Sequence, residues 1–306
     1  MKNLVFITII LLFVSCMPAG NNNPEVDFKE TQSSEDPDNN TKPQTVYIAI
    51  ASMTSPKETY QYYSDLINYI SKETGHPIYI KQKKTYEEVN KMLENSEIDF
   101  AFICAGAYAE EYHTHKLKLM VAPQISGKLH YHAYIIVNKN SGINKFTDLR
   151  DKSFVFTDPL SNTGRLYPVK RLTEMNTTSE EFFMKTVFSY GHDISIQMVN
   201  RGIIDGASVH SLIYNYIAYY HPEEVSNIDI IEESEEFGMP PVVIPATLPQ
   251  EKFKNYQKIF LNMHKDSTGR EILSKLHIDS FRIVDNSIYS SVFTQMKEIK
   301  NGSKEK

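Results

Sequence analysis

A run of four residues, Ser161-Asn162-Thr163-Gly164, carries closely spaced hydroxyl and amide groups just before a helical pattern that ends near Met175. The start of a helix combines unpaired backbone N–H groups with the positive end of the helix dipole. With side-chain donors beside them, these groups have the chemistry to hold a tetrahedral oxyanion. An ordinary helix N-terminus is the alternative interpretation, because Ser, Thr and Asn are also good N-caps.

The elements that must position this run form an alternating series. The apolar segment Ser153–Phe156 precedes the run, and an earlier strand-like segment, Val46–Ile50, is likewise followed by a helix start. There Ser55, Pro56 and Glu58 have the spacing of a capping box with proline at the first helical position. The predicted strands are residues 46–50, 78–81, 98–103, 117–121, 134–137, 153–156, 187–189, 204–209, 228–231 and 242–244.

Strands that alternate with helices predict an α/β fold, here with a mostly parallel sheet in each of two lobes. In such sheets, ligands bind at the carboxyl ends of the strands. Two lobes that face each other would form a cleft, with residues 54–58 on one wall and 161–164 on the other. The segment Cys104-Ala-Gly-Ala-Tyr108 is predicted as the loop that follows a buried strand.

The first residues have the organisation of an export signal. Residues 1–15 contain Lys2 and then an apolar run that is too short to span a bilayer. The small residue before Cys16 resembles the lipobox of bacterial lipoproteins, in which Cys16 would become the lipidated first residue of the mature protein. A signal peptide with an incidental cysteine is the alternative. Residues 16–44 are polar and lack an apolar period, so we expect a disordered, flexible tether.

The composition restricts the class of protein. Hydrophobic residues make up 41% and charged residues 23% of the chain, as in ordinary globular proteins, and the formal net charge is −6. No basic patch of the kind that binds nucleic acid is present, so we expect no nucleic-acid partner. With Cys16 lipidated, Cys104 is the remaining cysteine and no intrachain disulfide can form. Its apolar neighbours indicate a small core residue.

Five segments, taken in their order and spacing, resemble a known family. They are residues 53–60, 84–89, 98–108, 158–164 and 191–192. The family is that of the PhnD-like phosphate, phosphite and phosphonate binding proteins of ABC importers, and the resemblance covers residues 45–260. It implies a type 2 periplasmic-binding-protein fold, no catalysis and no cofactor. It also implies lobe 1 from residues 45–137 plus 242–306 and lobe 2 from residues 138–241, with hinge crossings near 137–141 and 234–242.

The resemblance also implies a set of ligand-binding residues. The family's oxyanion loop matches residues 161–164, with Asn162 in place of a hydroxyl residue. Its ligand histidine matches His192, for which a capping or core role is the alternative, and an aromatic residue matches Tyr108. Thr54 and Ser55 match the helix start of the first lobe. His210 stands where relatives carry an acidic residue, which weakens the case for a ligand with an amino group.

We therefore expect a monomer that captures a phosphorus oxyanion (phosphate, phosphite or phosphonate) in the cleft and delivers it to an ABC permease in the membrane that holds its lipid anchor. His192 would add a donor and, if protonated, a charge. One alternative keeps the fold but makes the protein a ligand sensor or surface lipoprotein. Another is zinc binding by His113 and His115 or by His130 and His132. A third is thiol chemistry by Cys104 with His192.

Overall fold

The computed structural model describes residues 45–302, which lie within the compact unit Lys42–Lys306. The predicted signal peptide, Cys16 and the tether lie outside the described residues. Within the described part of the chain, no helix has the length and apolar character needed to cross a membrane.

The strands and helices follow the predicted alternation. The strands are β1 (Val46–Ile50), β2 (Ile78–Ile80), β3 (Phe100–Phe102), β4 (Leu117–Gln124), β5 (His130–Tyr131), β6 (Ala133–Asn138), β7 (Ser153–Phe156), β8 (Lys185–Phe188), β9 (Gly206–His210), β10 (Ile228–Glu233), β11 (Phe237–Gly238), β12 (Val242–Pro245) and β13 (Ser280–Arg282). The helices are α1 (Pro56–Thr74), α2 (Tyr86–Glu94), α3 (Ala105–Glu111), α4 (Tyr167–Glu174), α5 (Ser179–Phe182), α6 (His192–Asn200), α7 (Ser211–Tyr220), α8 (Gln250–Asn262), α9 (Ser267–Lys275) and α10 (Ser290–Gly302).

Two mixed sheets form the centres of two lobes. In lobe 1 the strand order is β13-β4-β12-β3-β1-β2, with β1 parallel to β2 and β3 and the other pairs antiparallel. In lobe 2 the order is β10-β6-β9-β7-β8, with β7 parallel to β8 and β9 and the other pairs antiparallel. The sheets are thus not mostly parallel. The chain enters β6 and β12 from the other lobe without a helical crossover, and both strands run antiparallel to their neighbours.

The two connections between the lobes run side by side. Strand β5 lies in the chain between β4 of lobe 1 and β6 of lobe 2, and β11 lies between β10 of lobe 2 and β12 of lobe 1. The two pair as an antiparallel ribbon, with Tyr131 opposite Phe237. Because β6 already belongs to the second sheet, the first crossing precedes residue 133 and is earlier than the predicted 137–141. The lobe boundaries given above stay a prediction.

Apolar side chains hold each sheet rigid and fix the ends of its strands. In lobe 1 the rings of Phe100, Phe260 and Phe281 pack edge to face. In lobe 2 the rings of Phe154 and Phe183 stack 4.5 Å apart. Burying one such side chain stabilises the fold by about 1.5–3 kcal/mol. The loops at the strand ends are therefore attached to well-packed sheets.

Two local predictions at the cleft were wrong. Ser55 is the N-cap of α1, but its side chain makes no capping bond, so the predicted capping box with Glu58 does not form. Its backbone N–H instead donates to Asp193 of lobe 2. The segment predicted as a loop after β3 is the helix α3, since Ala-rich sequence favours helix.

Candidate functional site

The segment after β7 folds back on itself. Ser161 is the N-cap of a π-helical turn, Asn162–Leu166, which leads into α4. Its Oγ accepts a hydrogen bond of 3.0 Å from the backbone N–H of Gly164. A Cβ on Gly164 would lie under 3.0 Å from both Oγ1 and Cβ of Thr157, so only glycine fits this position. The loop is therefore closely packed and completely buried.

His192 lies at the first turn of α6 and contacts this loop. Its Nδ1 accepts a hydrogen bond of 3.2 Å from the backbone N–H of His210 and lies 3.1 Å from Oγ1 of Thr157. Because a backbone N–H can only donate, Nδ1 carries no proton and Nε2 is the protonated nitrogen. Nε2 lies 3.5 Å from Oγ of Ser161. His192 thus presents an N–H donor to the loop.

Both histidines are neutral in this setting. Burial lowers the pKa of His192 from 6.5 to about 3. Burial also lowers the pKa of His210 well below its ordinary value, with a smaller contribution from His192. The Nδ1 of His210 accepts a hydrogen bond from the backbone N–H of Leu212, so its Nε2 is again the protonated nitrogen. The positive charge that His192 would carry if protonated is therefore not present near pH 7.

Two tyrosines that were missing from the predicted site lie beside the loop. The hydroxyl of Tyr86, at the start of α2, is buried beside the Ser161 hydroxyl and makes no hydrogen bond of good geometry to the residues that the structure describes. Burial raises the pKa of Tyr86 well above its ordinary value, while the adjacent Ser161 hydroxyl acts in the opposite direction. The hydroxyl of Tyr131 accepts a hydrogen bond from the Asn162 amide, and its ring stacks 4.1 Å from that of His210. Tyr86 lies within a segment that resembles the family, so that segment contained the available signal.

The remaining loop residues have different roles. Asn162 links the loop to other elements, because its amide nitrogen donates to Tyr131 and its amide oxygen accepts from Gln295 of α10. The hydroxyl of Thr163 is buried and has no partner in the described part of the chain. We use the term polar cluster for the buried groups around the loop: Tyr86, Tyr131, Thr157, Ser161, Thr163 and His192.

Three backbone contacts join the lobes around the polar cluster. The N–H of His192 donates to the carbonyl of Met53, and the N–H of Ser55 donates to the carboxylate of Asp193. The N–H of Tyr86 donates to the carboxylate of Asp158. Burial raises the pKa of both carboxyl groups. The structure is therefore a closed arrangement in which lobe 2 carboxylates satisfy the helix starts of lobe 1.

Thr54 and Tyr108 differ in their relation to the cluster. Thr54 lies in the segment that contacts His192, and its hydroxyl bonds that of Thr59 at 3.0 Å. Tyr108 is directed elsewhere, since its hydroxyl bonds Asn286 at 2.5 Å and its ring packs against Tyr289. The predicted ligand contact by Tyr108 is thus not supported by its geometry.

The two rival hypotheses find little support in the geometry. Cys104 is buried and its Sγ accepts a hydrogen bond from the backbone N–H of Asn162, while burial raises the thiol pKa. Such a thiol is not an activated nucleophile. Neither predicted histidine pair belongs to a group of three metal-ligating side chains among residues 45–302. His132 bonds the carbonyl of Ser234 through Nδ1.

A family described as "ABC transporter, phosphonate, periplasmic substrate-binding protein" matches residues 48–289. The chain belongs to this family. It is a family of substrate-binding proteins and not of enzymes, as the sequence predicted. The phosphonates-binding periplasmic protein of Escherichia coli (strain K12) is 27% identical over 156 residues, which are 50% of this chain and 46% of that protein. The chain spans about half the length of the curated relatives it matches.

Solved structures of similar proteins confirm the fold. A binding protein component of an ABC phosphonate transporter from Pseudomonas aeruginosa superposes with a TM-score of 0.81 at 18% identity, over 86% of this chain and 88% of that one. PhnD1 of Prochlorococcus marinus (MIT 9301), solved in complex with methylphosphonate, gives a TM-score of 0.76 at 17% identity, over 85% and 99%. The predicted two-lobe, type 2 periplasmic-binding-protein fold is therefore confirmed.

Proposed function

We propose that this chain is the substrate-binding component of an ABC importer and captures a phosphorus oxyanion at the polar cluster. The observation that carries the proposal is a pair of buried hydroxyls, on Tyr86 and Thr163, that make no hydrogen bond of good geometry to any residue between 45 and 302. A buried polar group without a partner costs about 1–3 kcal/mol, so each one in a native protein calls for an explanation. An acceptor-rich ligand such as a phosphonate would satisfy both.

The hydrogen-bond donors of the cluster support the same ligand class. Ser161 Oγ already accepts from Gly164 and lies within reach of the Nε2 proton of His192, so its own proton can be donated. Tyr86 and Thr163 add further O–H groups. Neutral donors in a buried site stabilise an anion without a competing charged partner. The family description, the name of the E. coli relative and the methylphosphonate in the P. marinus structure agree with this chemistry.

Binding would proceed by closure of the lobes. The ligand first meets the loop of lobe 2, and then Tyr86 and the 53–55 segment of lobe 1 approach it. The contacts of Met53 with His192 and of Ser55 with Asp193 form as the lobes meet. The ribbon of β5 and β11 supplies the hinge.

The proposed function is tested by thermal unfolding of the purified full chain against phosphate, phosphite, methylphosphonate and sulfate. A ligand at 100 times its Kd adds about 2.7 kcal/mol, which raises the midpoint by about 5–10 °C. We expect this rise with a phosphorus oxyanion and its loss in Ser161→Ala and in Tyr86→Phe. Ser226→Ala is the matched control, since its hydroxyl bonds only the carbonyl of Glu223. The proposal is contradicted if the ligand still raises the unfolding midpoint in both site variants. It is also contradicted if no phosphorus oxyanion raises the midpoint of the parent chain.

A second experiment separates import from the alternative role as a sensor or surface lipoprotein. Cells that lack the chain should take up the identified oxyanion more slowly than cells that carry it. Normal uptake in its absence favours the sensor.

We also propose that Cys16 carries a lipid that anchors the protein to a bacterial membrane. The signal-like residues 1–15 and the polar residues 16–44 support this export route. We expect Cys16→Ser to move the protein from the membrane fraction to the soluble exported fraction, and Cys104→Ser to leave it on the membrane. Retention of Cys16→Ser on the membrane rejects the anchor.

A further inference from the structure

An apolar cavity lies between the lobes beside the polar cluster. Its volume is roughly 150 Å³. Lobe 1 contributes Tyr63, Phe102 and Phe281, and helix α7 of lobe 2 contributes Leu212 and Ile213. A dry apolar cavity of about 150 Å³ is large enough for a benzene ring. The cavity therefore has the size and the character of a site for one hydrocarbon group.

Two residues, His210 and Met53, border both the cavity and the polar cluster. His210 lines the cavity, while its backbone N–H donates to His192 and its ring stacks on Tyr131. Met53 also lines the cavity, and its carbonyl accepts the N–H of His192. One molecule could thus place an oxyanion in the cluster and a substituent in the cavity.

The lining excludes a charged substituent. None of the described residues around the cavity is Lys, Arg, Asp or Glu. The imidazole ring of His210, which also lines the cavity, is neutral. Burying an ammonium group there would leave a charge without a partner, which is costly. Because position 210 is His and not an acidic residue, the cavity has no carboxylate there to pair with an amino group.

We propose that the ligand is a phosphonate or phosphate monoester with an apolar, phenyl-sized substituent that occupies this cavity while its oxyanion binds the polar cluster. This inference rests on the proposed function and narrows it to a substrate class. Each buried methylene-sized group gains about fourfold in affinity. Replacing a methyl by a phenyl substituent should therefore tighten binding by about 100-fold or more.

The test is calorimetric titration of the purified full chain with methylphosphonate, phenylphosphonate, phenyl phosphate and 2-aminoethylphosphonate. We expect the two phenyl compounds to bind about 100-fold more tightly than methylphosphonate, and the amino compound to bind no better than methylphosphonate. The heat-capacity change should be more negative for the phenyl compounds, because apolar surface is buried. Equal affinity for methylphosphonate and both phenyl compounds overturns the inference.

A matched pair of variants assigns the gain to the cavity. Ile213→Trp fills the cavity from α7 and should cut the phenyl advantage below about fivefold while methylphosphonate still binds normally. Ile203→Trp makes the same change at a side chain that is 61% exposed and should keep the full advantage. Leu276→Phe fills the cavity from lobe 1 if Ile213→Trp does not fold. A phenyl advantage that persists in the filled variants overturns the inference. If methylphosphonate binds and the phenyl compounds do not, this inference alone fails; if no phosphorus ligand binds, the proposed function fails as well.

Discussion

Gly106→Ala should leave both lobes folded but prevent them from closing on the ligand. Gly106 lies in α3 of lobe 1, against the loop of lobe 2. A Cβ there would lie well under 3.0 Å from the carbonyl oxygen of Leu160 and 2.8 Å from the backbone nitrogen of Asn162. Both neighbours are backbone atoms, so no side-chain rotation can relieve the overlap. Overpacking of this kind costs about 1–3 kcal/mol, and we expect the affinity for the oxyanion to fall by about 100-fold.

Two measurements distinguish a block to closure from general damage. Titration gives the affinity, and small-angle X-ray scattering at a ligand concentration that saturates the parent but not the variant should show that the variant stays more extended than the parent. The far-UV circular dichroism spectrum should be unchanged, because neither sheet is touched. Gly142→Ala is the control: nothing lies within 4 Å of its Cβ position, although its φ of 73° carries a stability cost of about 1–2 kcal/mol. A Gly106→Ala protein that closes and binds like the parent would refute the role assigned to this contact.

The elements of the fold were largely predictable because their signals are local. Strands β1 and β7 were predicted with their observed bounds, and α1 ends at Gly75, which has a positive φ of 70°. The direction of the strands was not predictable from alternation alone. The crossings between lobes bring β6 and β12 into their sheets without a helix. The strands β5 and β11 have two residues each, which is too short to show an alternation of apolar and polar residues.

The site was predictable only where its residues are close in the sequence or match the family. Ser161 and Gly164 lie three residues apart, and the family pattern pointed to His192, which the fold brings to Ser161. Tyr86 was not predicted as a site residue, and the contact that places it beside the loop, from its N–H to Asp158 of lobe 2, joins residues 72 apart in the sequence. The hydroxyl of Tyr108 bonds Asn286, which is 178 residues away in the sequence, so local sequence could not show where this side chain is directed.

The same distinction explains the helix start at Ser55. The spacing of Ser55 and Glu58 permits a capping box, and the equivalent box does form at Thr85 and Glu88. At Ser55 the backbone N–H donates instead to the carboxylate of Asp193 in the other lobe. Local propensity is thus overridden where the lobes meet, which is also where the ligand is expected to bind.

Two buried histidines should lower the stability of the folded protein as the pH falls from 7 to 5. In the folded state burial lowers the pKa of His192 to about 3 and that of His210 well below 6.5. In the unfolded chain both titrate near 6.5. The unfolded state therefore binds more protons below pH 6.5, so the stability is fully present above that pH and is lost as the pH falls toward the folded pKa. His192 contributes about 2 kcal/mol of this loss, and His210 acts in the same direction.

The measurement is urea unfolding of the ligand-free chain at several values between pH 7 and pH 5, in buffers without phosphate. His192→Gln should remove about 2 kcal/mol of the pH-dependent loss, and His192→Gln with His210→Gln should remove more. Asp158 and Asp193 act in the opposite direction, since burial raises their pKa and the folded state takes up their protons more readily as the pH falls. The difference between parent and double variant cancels their contribution. If the parent and the double variant have the same pH dependence, the buried histidines are not neutral in the folded protein. The description of the oxyanion site as a set of neutral donors is then wrong as well.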